Sequence, residues 1–547
     1  MSKLTTSHSP SQSEGGARTL SFGVGLGIVL LLFWIGVLRH IELPGLYMDA
    51  VNPDYLAARA LNRDLPNPVW VLPTAWFPIL GNLYHGVQNY YVGLAIYKVL
   101  GMNIVSVRLA QALFGAAIIA LLYAMVVRAT DNRWLALLAA AGLATDVAFL
   151  ASFRTQNYII LGGEAWLFAA LLLLYPRKGA ASITPQALIL SGICYGLAIY
   201  GYFVFVFFGP AIAWLVFRST DRRLKYCGLW IFGFIVGMLP YVAGYLSMII
   251  ALGGVTETLD FLRSATRNLS PFSSKLGFLG NVRYALEVGK LALANGGNEL
   301  MIFGEAVSGG RWPVVRLALF CFAVLMALLF LCLRTAASGV TALTKLNRLL
   351  VLLPICYFAV ASLLGQRLWA HHFSVLTPLA YLIIVIAIHG GWTWIASRQV
   401  NLRLIQGPVL TAIGILLITG NLVQQSKFFG QLEKTGGSGR ASNALTTFAE
   451  NAFNDSRDTV YLFPDWGFFM SFALLTGNHV PYALDVTPDL IRDFRGKYAR
   501  VRLAFWNVAD REKYEMLLQA AGVKHSELEI FRQRDGKPAF YVIHAQF

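Results

Sequence analysis

Two of the few carboxylates that could do acid–base chemistry lie close together. They are Asp49 and Asp54, in GLYMDAVNPDYLAARALN, residues 45–62. Asn52 suits an N-cap, Pro53 the first helical position and Asp54 the first turn, so the start of a helix accounts for Asp54. Asp49 has no such local task. It follows Pro44-Gly45 and precedes that helix, where a carboxylate can act as a general base. Asp146 and Glu164 flank ASFRTQN with its Arg154, and ionisable groups inside apolar segments are functional candidates by default. An ion pair of Arg154 with one of them is the structural alternative. GQRLWAHHF brings Arg367 next to His371 and His372, cationic or N–H-donating groups suited to a phosphate. Adjacent residues on a helix point about 100° apart, so the two histidines make a poor metal pair. An ordinary interfacial cluster anchored by Trp369 is the competing reading.

The elements that hold these residues are membrane helices. Of 547 residues, 57% are hydrophobic and 13% charged, whereas soluble domains carry about 25% charged residues. Apolar runs near the length of a span, about 20 residues, fall at Leu20–Leu38, Ile104–Val127, Trp134–Leu150, Tyr158–Tyr175, Pro185–Tyr200 and Phe203–Phe217. Further runs are Tyr226–Leu252, Trp312–Leu333, Leu349–Leu364, His372–Trp394 and Pro408–Val423. The expectation is an all-α polytopic domain of about eleven transmembrane helices over residues 20–426, after a tail of residues 1–19. No small-residue cleavage site follows the first run, so it reads as a retained span. Pro73–Leu100, interrupted by prolines and polar residues, predicts an interfacial or re-entrant helix.

With the N-terminus cytoplasmic, the inner loops carry Arg128/Arg133, Arg177/Lys178, Arg218/Arg222/Arg223/Lys225, Arg334/Lys345/Arg348 and Arg398/Arg403. Each is short and basic, as the positive-inside rule asks of a cell-membrane protein. The net charge of +16 therefore reports topology. No nucleic acid is expected as partner, because no basic cluster is interleaved with aromatics as single-strand binders require. The large outer pieces are then residues 39–103, 253–311 and the C-terminal region. FGVGLG, inside a span with no strand before it, is no dinucleotide motif. GICYG and GFIVG are small-xxx-small pairs that let helices approach. The five cysteines lie in or beside apolar runs and imply no disulfides.

Residues 427–547 read as a small soluble α/β domain outside the membrane. EKTGGSGRASN, Glu433–Asn443, predicts a flexible linker. TVYLF and VRLAFW alternate like strands, DREKYEMLLQAAG has helical spacing, and LEIFRQRDGKPAFYVIH is a hairpin turning at Asp535-Gly536.

In this order the motifs resemble those of the GT-C glycosyltransferases, which include protein O-mannosyltransferases and lipid A aminoarabinose transferases. That family has an essential acidic residue in the first outer loop, before a Tyr/Ala-containing helix. PILGNLYHGVQNYYVGLAIYKVLG, with His85, is similar to its Pro- and Gly-rich outer segment. In SVRLAQALFGAAIIALLYAMV, Arg108 matches a recurrent Arg that opens the next span. ASFRTQNY resembles its Ser-Arg loop and AHHFSVLTP its late His-to-Pro rim. The family often has Asp-Glu with a Tyr four residues after the Asp. Here Ala50 replaces the Glu and Tyr55 lies six residues on, so the motif can also be aligned on Asp54. The second acidic position is taken by Asn157 or displaced to Glu164.

The resemblance implies a GT-C fold and transfer of a sugar from a polyprenyl-phosphate donor, with inversion, to a glycan, lipid or protein acceptor at the outer face. It implies Asp49, Asp54 and Glu164 as catalytic candidates. Tyr55, His85, Arg108, Arg154, Arg367, His371 and His372 are implied on the substrate, and a divalent metal ion is the cofactor to test. A non-catalytic envelope-glycan assembly protein is one alternative, and a transporter or flippase of polyprenyl-linked sugars is the other. The latter calls for polar residues at mid-depth in several spans, and these are scarce.

Overall fold

The computed structural model describes residues 12–51, 72–156, 158–175, 183–218, 223–267, 276–307, 310–332, 341–396, 403–454, 458–484 and 486–547. Asp54, Tyr55 and Asn157 lie outside them. Among the described residues six helices are long and apolar enough to cross a membrane: Ile104–Thr130, Leu224–Leu252, Arg311–Leu329, Leu350–Arg367, Ala370–Ile395 and Gly407–Thr435. Five shorter apolar helices, Gly23–Leu38, Arg133–Thr145, Gly162–Leu173, Pro185–Gly201 and Phe203–Phe217, stand where the sequence places its other spans.

Local signals set several helix ends. Asn103 accepts the N–H of Ser106, whose hydroxyl accepts that of Asn103, a capping box that starts the helix Ile104–Thr130. Pro185–Gly201 and Arg223–Leu252 pack backbone to backbone at the two small-xxx-small pairs. A Cβ at Gly192 would overlap the Trp230 carbonyl, and one at Gly233 the Ile189 carbonyl. Cys194, Cys227, Cys321 and Cys356 are free thiols, as their apolar settings suggest.

The segment after the first helix is more varied than one interfacial helix. A short helical turn, Met48–Val51, follows Pro44-Gly45. Then β1 (Leu80–Asn82) pairs antiparallel with β2 (His85–Gly86) before the helix Gln88–Leu100. Pro73 and Pro78 confine regular helix to the last part of the stretch. The second long segment between apolar helices folds as Val255–Arg267, Gly277–Leu293 and Gly296–Phe303.

Beyond the membrane helices the chain forms a five-stranded mixed sheet, ordered β4-β3-β5-β7-β6. Its strands are β3 (Thr459–Leu462), β4 (Tyr482–Ala483), β5 (Arg500–Phe505), β6 (Lys524–Arg532) and β7 (Pro538–Gln546). β3 runs parallel to β4 and β5, and β7 lies antiparallel between β5 and β6. The β6–β7 hairpin turns at Asp535-Gly536, with Gly536 at φ +85°. The helix Arg511–Ala520 packs Tyr514 and Leu518 onto the sheet.

The expected flexible linker is not one. The last membrane helix runs unbroken from Arg403 to Thr435, because Phe428, Phe429 and Leu432 remain buried against Leu43, Val147, Ile302 and Phe303. The Gly-rich turn after it is fixed by Ser438 N–H donating to the Ile302 carbonyl (2.7 Å) and Asn443 N–H to Gly436 (3.0 Å). Leu46, Met48 and Val51 of the segment after the first helix share a hydrophobic core with Phe448, Phe472 and Phe540 of the sheet domain. The C-terminal domain is therefore seated on the segment that carries Asp49.

Candidate active site

Asp49 sits on the turn Met48–Val51, whose Met48, Ala50 and Val51 point inward and leave the carboxylate on the open side. It faces a cavity of about 390 Å³ lined by Tyr47, Asp49, Gln156, Trp369, Ser438 and Arg440, with Leu300, Met301, Gly304 and Gly439 completing the wall. Burial pushes the Asp49 carboxyl up to about 6, partly opposed by the Arg440 guanidinium. Burial and then the Asp49 charge push the Tyr47 hydroxyl up to about 12, with Arg440 again opposing. Tyr84 is raised for the same two reasons, burial first and Asp49 second.

Two predicted cations hold the loop that carries Asp49. Arg154 Nη1 donates to the carbonyls of His40 (2.6 Å) and Leu43 (2.5 Å), and Nη2 to those of Val37 (2.9 Å) and Arg39 (2.6 Å). Arg108 donates to the Ile41 and Pro44 carbonyls at 2.6 and 2.7 Å. Both side chains are buried, and burial lowers Arg154 to about 9. Their donors meet main-chain oxygens at the end of the first helix, where carbonyls lack partners. The sequence reading expects both on the substrate; in the structure these nitrogens meet main-chain carbonyls ahead of Asp49, a positioning contact. Nor does Arg154 pair with a carboxylate of a neighbouring span. Asp146 instead meets Arg316 at 2.8 Å and accepts from Tyr381 Oη at 2.7 Å and Ala148 N–H at 2.7 Å, deep in the helix bundle.

The histidine pair lies behind two lining residues, Gln156 and Trp369. Gln156 Nε2 bonds His371 Nδ1, and the His371 and His372 rings lie 3.9 Å apart. His372 Nδ1 accepts the Trp369 N–H at 3.1 Å, so in the neutral ring Nε2 carries the proton, 3.0 Å from Tyr202 Oη. Gln156 Oε1 is buried and has no partner among the described residues. Arg367 is exposed on the rim turn Gly365–Arg367, outside the cavity lining. His85 is fully buried, stacked on Tyr202 with centroids 6.0 Å apart, and burial holds its imidazole down to about 4. It backs the tyrosines and does not line the cavity.

Glu164 is fully buried in Tyr158–Leu173, away from the cavity lining, and neither carboxylate oxygen has a partner among the described residues. The sequence reading offers Glu164 as a catalytic candidate; the structure does not bring it into the cavity that Asp49 faces. Among the described residues no three His, Cys, Asp or Glu side chains gather to hold a metal ion. The charge nearest to Asp49 in kind is the cation Arg440, which a divalent ion would have to displace. Among the described residues the donors around Asp49 do not make up a divalent-ion site.

Arg440, Tyr47 and Gln156 are absent from the sequence-derived site. Arg440 could have been noticed as the sole charge within GGSGRASN.

Residues 85–246 match the profile of the family described as dolichyl-phosphate-mannose-protein mannosyltransferase. Over nearly the whole chain the architecture is similar to ArnT from Cupriavidus metallidurans bound to undecaprenyl phosphate. That likeness has a TM-score of 0.57 at 11% identity and covers 96% of this chain and 98% of the other. The fold is that of the GT-C glycosyltransferases. The apo oligosaccharyltransferase of Archaeoglobus fulgidus is also similar, with a TM-score of 0.51 at 12% identity, covering 95% of this chain and 76% of the other. Curated protein sequences gave no match. The profile match begins at His85 and takes in the Ser-Arg loop, two of the segments on which the resemblance rests.

Proposed function

We propose that this GT-C membrane protein transfers a sugar from a polyprenyl-phosphate donor to an acceptor hydroxyl at the outer face of the membrane, inverting the anomeric carbon, with Asp49 as general base. One observation carries the reading. Asp49 follows a segment clamped by Arg108 and Arg154 and faces a cavity of about 390 Å³, with its carboxyl raised to about 6. A base whose pKa lies near working pH combines the ionised state with the strongest drive to take a proton.

The acceptor O–H gives its proton to Asp49 as its oxygen attacks the anomeric carbon. The bond to the phosphate oxygen breaks on the far side, and prenyl phosphate leaves with its added charge. With Arg108 and Arg154 turned to carbonyls, stabilisation of that charge falls to Arg367 at the rim and to His371 behind Gln156. The unpartnered Gln156 Oε1 is placed to accept a sugar hydroxyl. The ArnT relative bound to undecaprenyl phosphate supports a prenyl-phosphate donor. A donor with its tail in lipid and its sugar in this cavity also fits the basic inner loops, which put the N-terminus in the cytoplasm and the sheet domain outside.

Asp49→Asn keeps the size of the side chain and removes the base. Turnover should fall by about 10²–10⁴-fold, or roughly 3–5 kcal/mol of barrier. Asp54→Asn, at the helix start expected from the sequence, should cost only about 0.3–1 kcal/mol. Sugar transfer by purified variants of matched folding decides it, and near-normal turnover in Asp49→Asn ends the assignment.

A further inference from the structure

We propose that Arg440 is an anion-recognition subsite for the acceptor, selecting a saccharide with a carboxylate or phosphate beside its reacting hydroxyl. The inference rests on the glycosyl-transfer reading for the word acceptor, and on geometry for the rest. Arg440 lies in the turn that joins the last membrane helix to the sheet domain, and it lines the same cavity as Asp49.

Its guanidinium lies over two indole rings, with Cζ 5.2 Å from the centroid of Trp466 and 5.9 Å from that of Trp506. Cation–π contact of this kind holds the charge without using up its N–H donors, and a guanidinium fork suits a planar or tetrahedral oxyanion. One donor reaches the Tyr47 hydroxyl, at the cavity wall.

The turn is built to hold this position. Gly436, Gly437 and Gly439 have φ of +66°, +90° and +52°, and a Cβ at Gly437 would lie 2.7 Å from Pro44 Cβ. Trp506 is fixed in turn by its Nε1–H donating to the Trp466 carbonyl (2.9 Å) and by stacking on Phe468 at 3.8 Å. Arg440 is thus pre-organised before any ligand arrives, which lowers the ordering cost of binding.

The choice of acceptor over donor follows from the reaction's direction. In an inverting displacement the base and the incoming hydroxyl stand on one side of the anomeric carbon and the leaving phosphate on the other. Arg440 accompanies Asp49 and Tyr47 on the base's side, and neither His371 nor His372 lines the cavity. A sugar ring suits the surroundings, since Trp466 is 46% and Trp369 38% exposed, and Tyr47 meets Trp466 edge-on at 6.0 Å.

The test is ligand binding by the full chain in detergent, followed by saturation-transfer NMR titration with glucuronate, glucose 6-phosphate and glucose. Either acidic sugar should bind at least about tenfold more tightly than glucose, and added salt should narrow the gap. Arg440→Gln should abolish the preference, and Arg440→Lys, which keeps the charge but loses the planar fork, should reduce it. Equal or absent binding of the three sugars to the wild type overturns the proposal, as does an unchanged preference in Arg440→Gln at matched thermal stability. If Arg440→Gln weakens undecaprenyl phosphate binding and leaves the sugar preference intact, the anion belongs to the donor and the proposal fails. Loss of all sugar transfer from polyprenyl donors, with the acidic preference intact, would count against the transferase reading alone.

Discussion

Gly45 packs directly on the Ser442 carbonyl: a Cβ at position 45 would overlap that oxygen and come within 3.0 Å of the Asn443 nitrogen. The residue four places before Asp49 is thereby interlocked with the residue two places after Arg440. Ser471 adds a hydrogen bond from the sheet domain to the Leu46 carbonyl at 2.8 Å. Gly45→Ala should force the loop and the turn apart. Overpacking of this kind typically costs about 1–3 kcal/mol, so a lower unfolding temperature and a fall in turnover should appear together. Full turnover with unchanged stability would show that the two segments move independently.

The pH dependence of transfer follows from the Asp49 carboxyl, raised to about 6. A general base works deprotonated. kcat/KM should therefore be level above pH 6 and fall as pH drops through it, by about tenfold per unit well below. Arg440 lowers this pKa against burial, so Arg440→Gln leaves burial unopposed and should move the acid limb to higher pH. An acid limb that stays put or moves down in the variant would remove Arg440 from the electrostatics of the base.

The membrane helices could be read in the sequence because a bilayer demands long apolar runs, and the β6–β7 hairpin because Asp535-Gly536 has few other uses. Asp49 could be singled out because nothing local explains it. Its partners could not. Arg154 reaches carbonyls at positions 37–43 and Arg440 faces Asp49 from the far end of the chain, contacts that leave no periodicity behind. Composition also misleads at Gly436–Gly439. Glycine and serine serve a loose tether, but they equally serve a turn where backbone must approach backbone, as at Pro44 and Ala441.

Asp146 and Arg316 form a buried ion pair, with side chains 1% and 6% exposed and 2.8 Å between them. Arg316 also donates to the Leu293 carbonyl, and Asn421 extends the network from Tyr381 to Thr145. Arg316→Met should leave a buried carboxylate without its counter-charge, costing about 3–5 kcal/mol. Adding Asp146→Asn should restore much of the lost stability, since the remaining groups are neutral. Thermal unfolding of the single and double variants measures this. A double variant no more stable than Arg316→Met would mean that the pair does not act as a unit.

Arg154→Lys separates the positioning role from phosphate binding. The guanidinium serves four carbonyls from two nitrogens, and an ammonium with three protons cannot span the same set. A buried carbonyl left without a donor costs about 1–3 kcal/mol. The carbonyls concerned close the first helix and begin the loop to Asp49, so the variant should unfold at lower temperature. The Asp49 turn should also be displaced, and kcat should fall, because small misplacements of a reacting group are costly. Donor KM should change by less than about twofold, since no donor-facing N–H is lost. The opposite pattern, a raised donor KM with unchanged thermal stability, would return Arg154 to the phosphate site and show that the carbonyl clamp is dispensable.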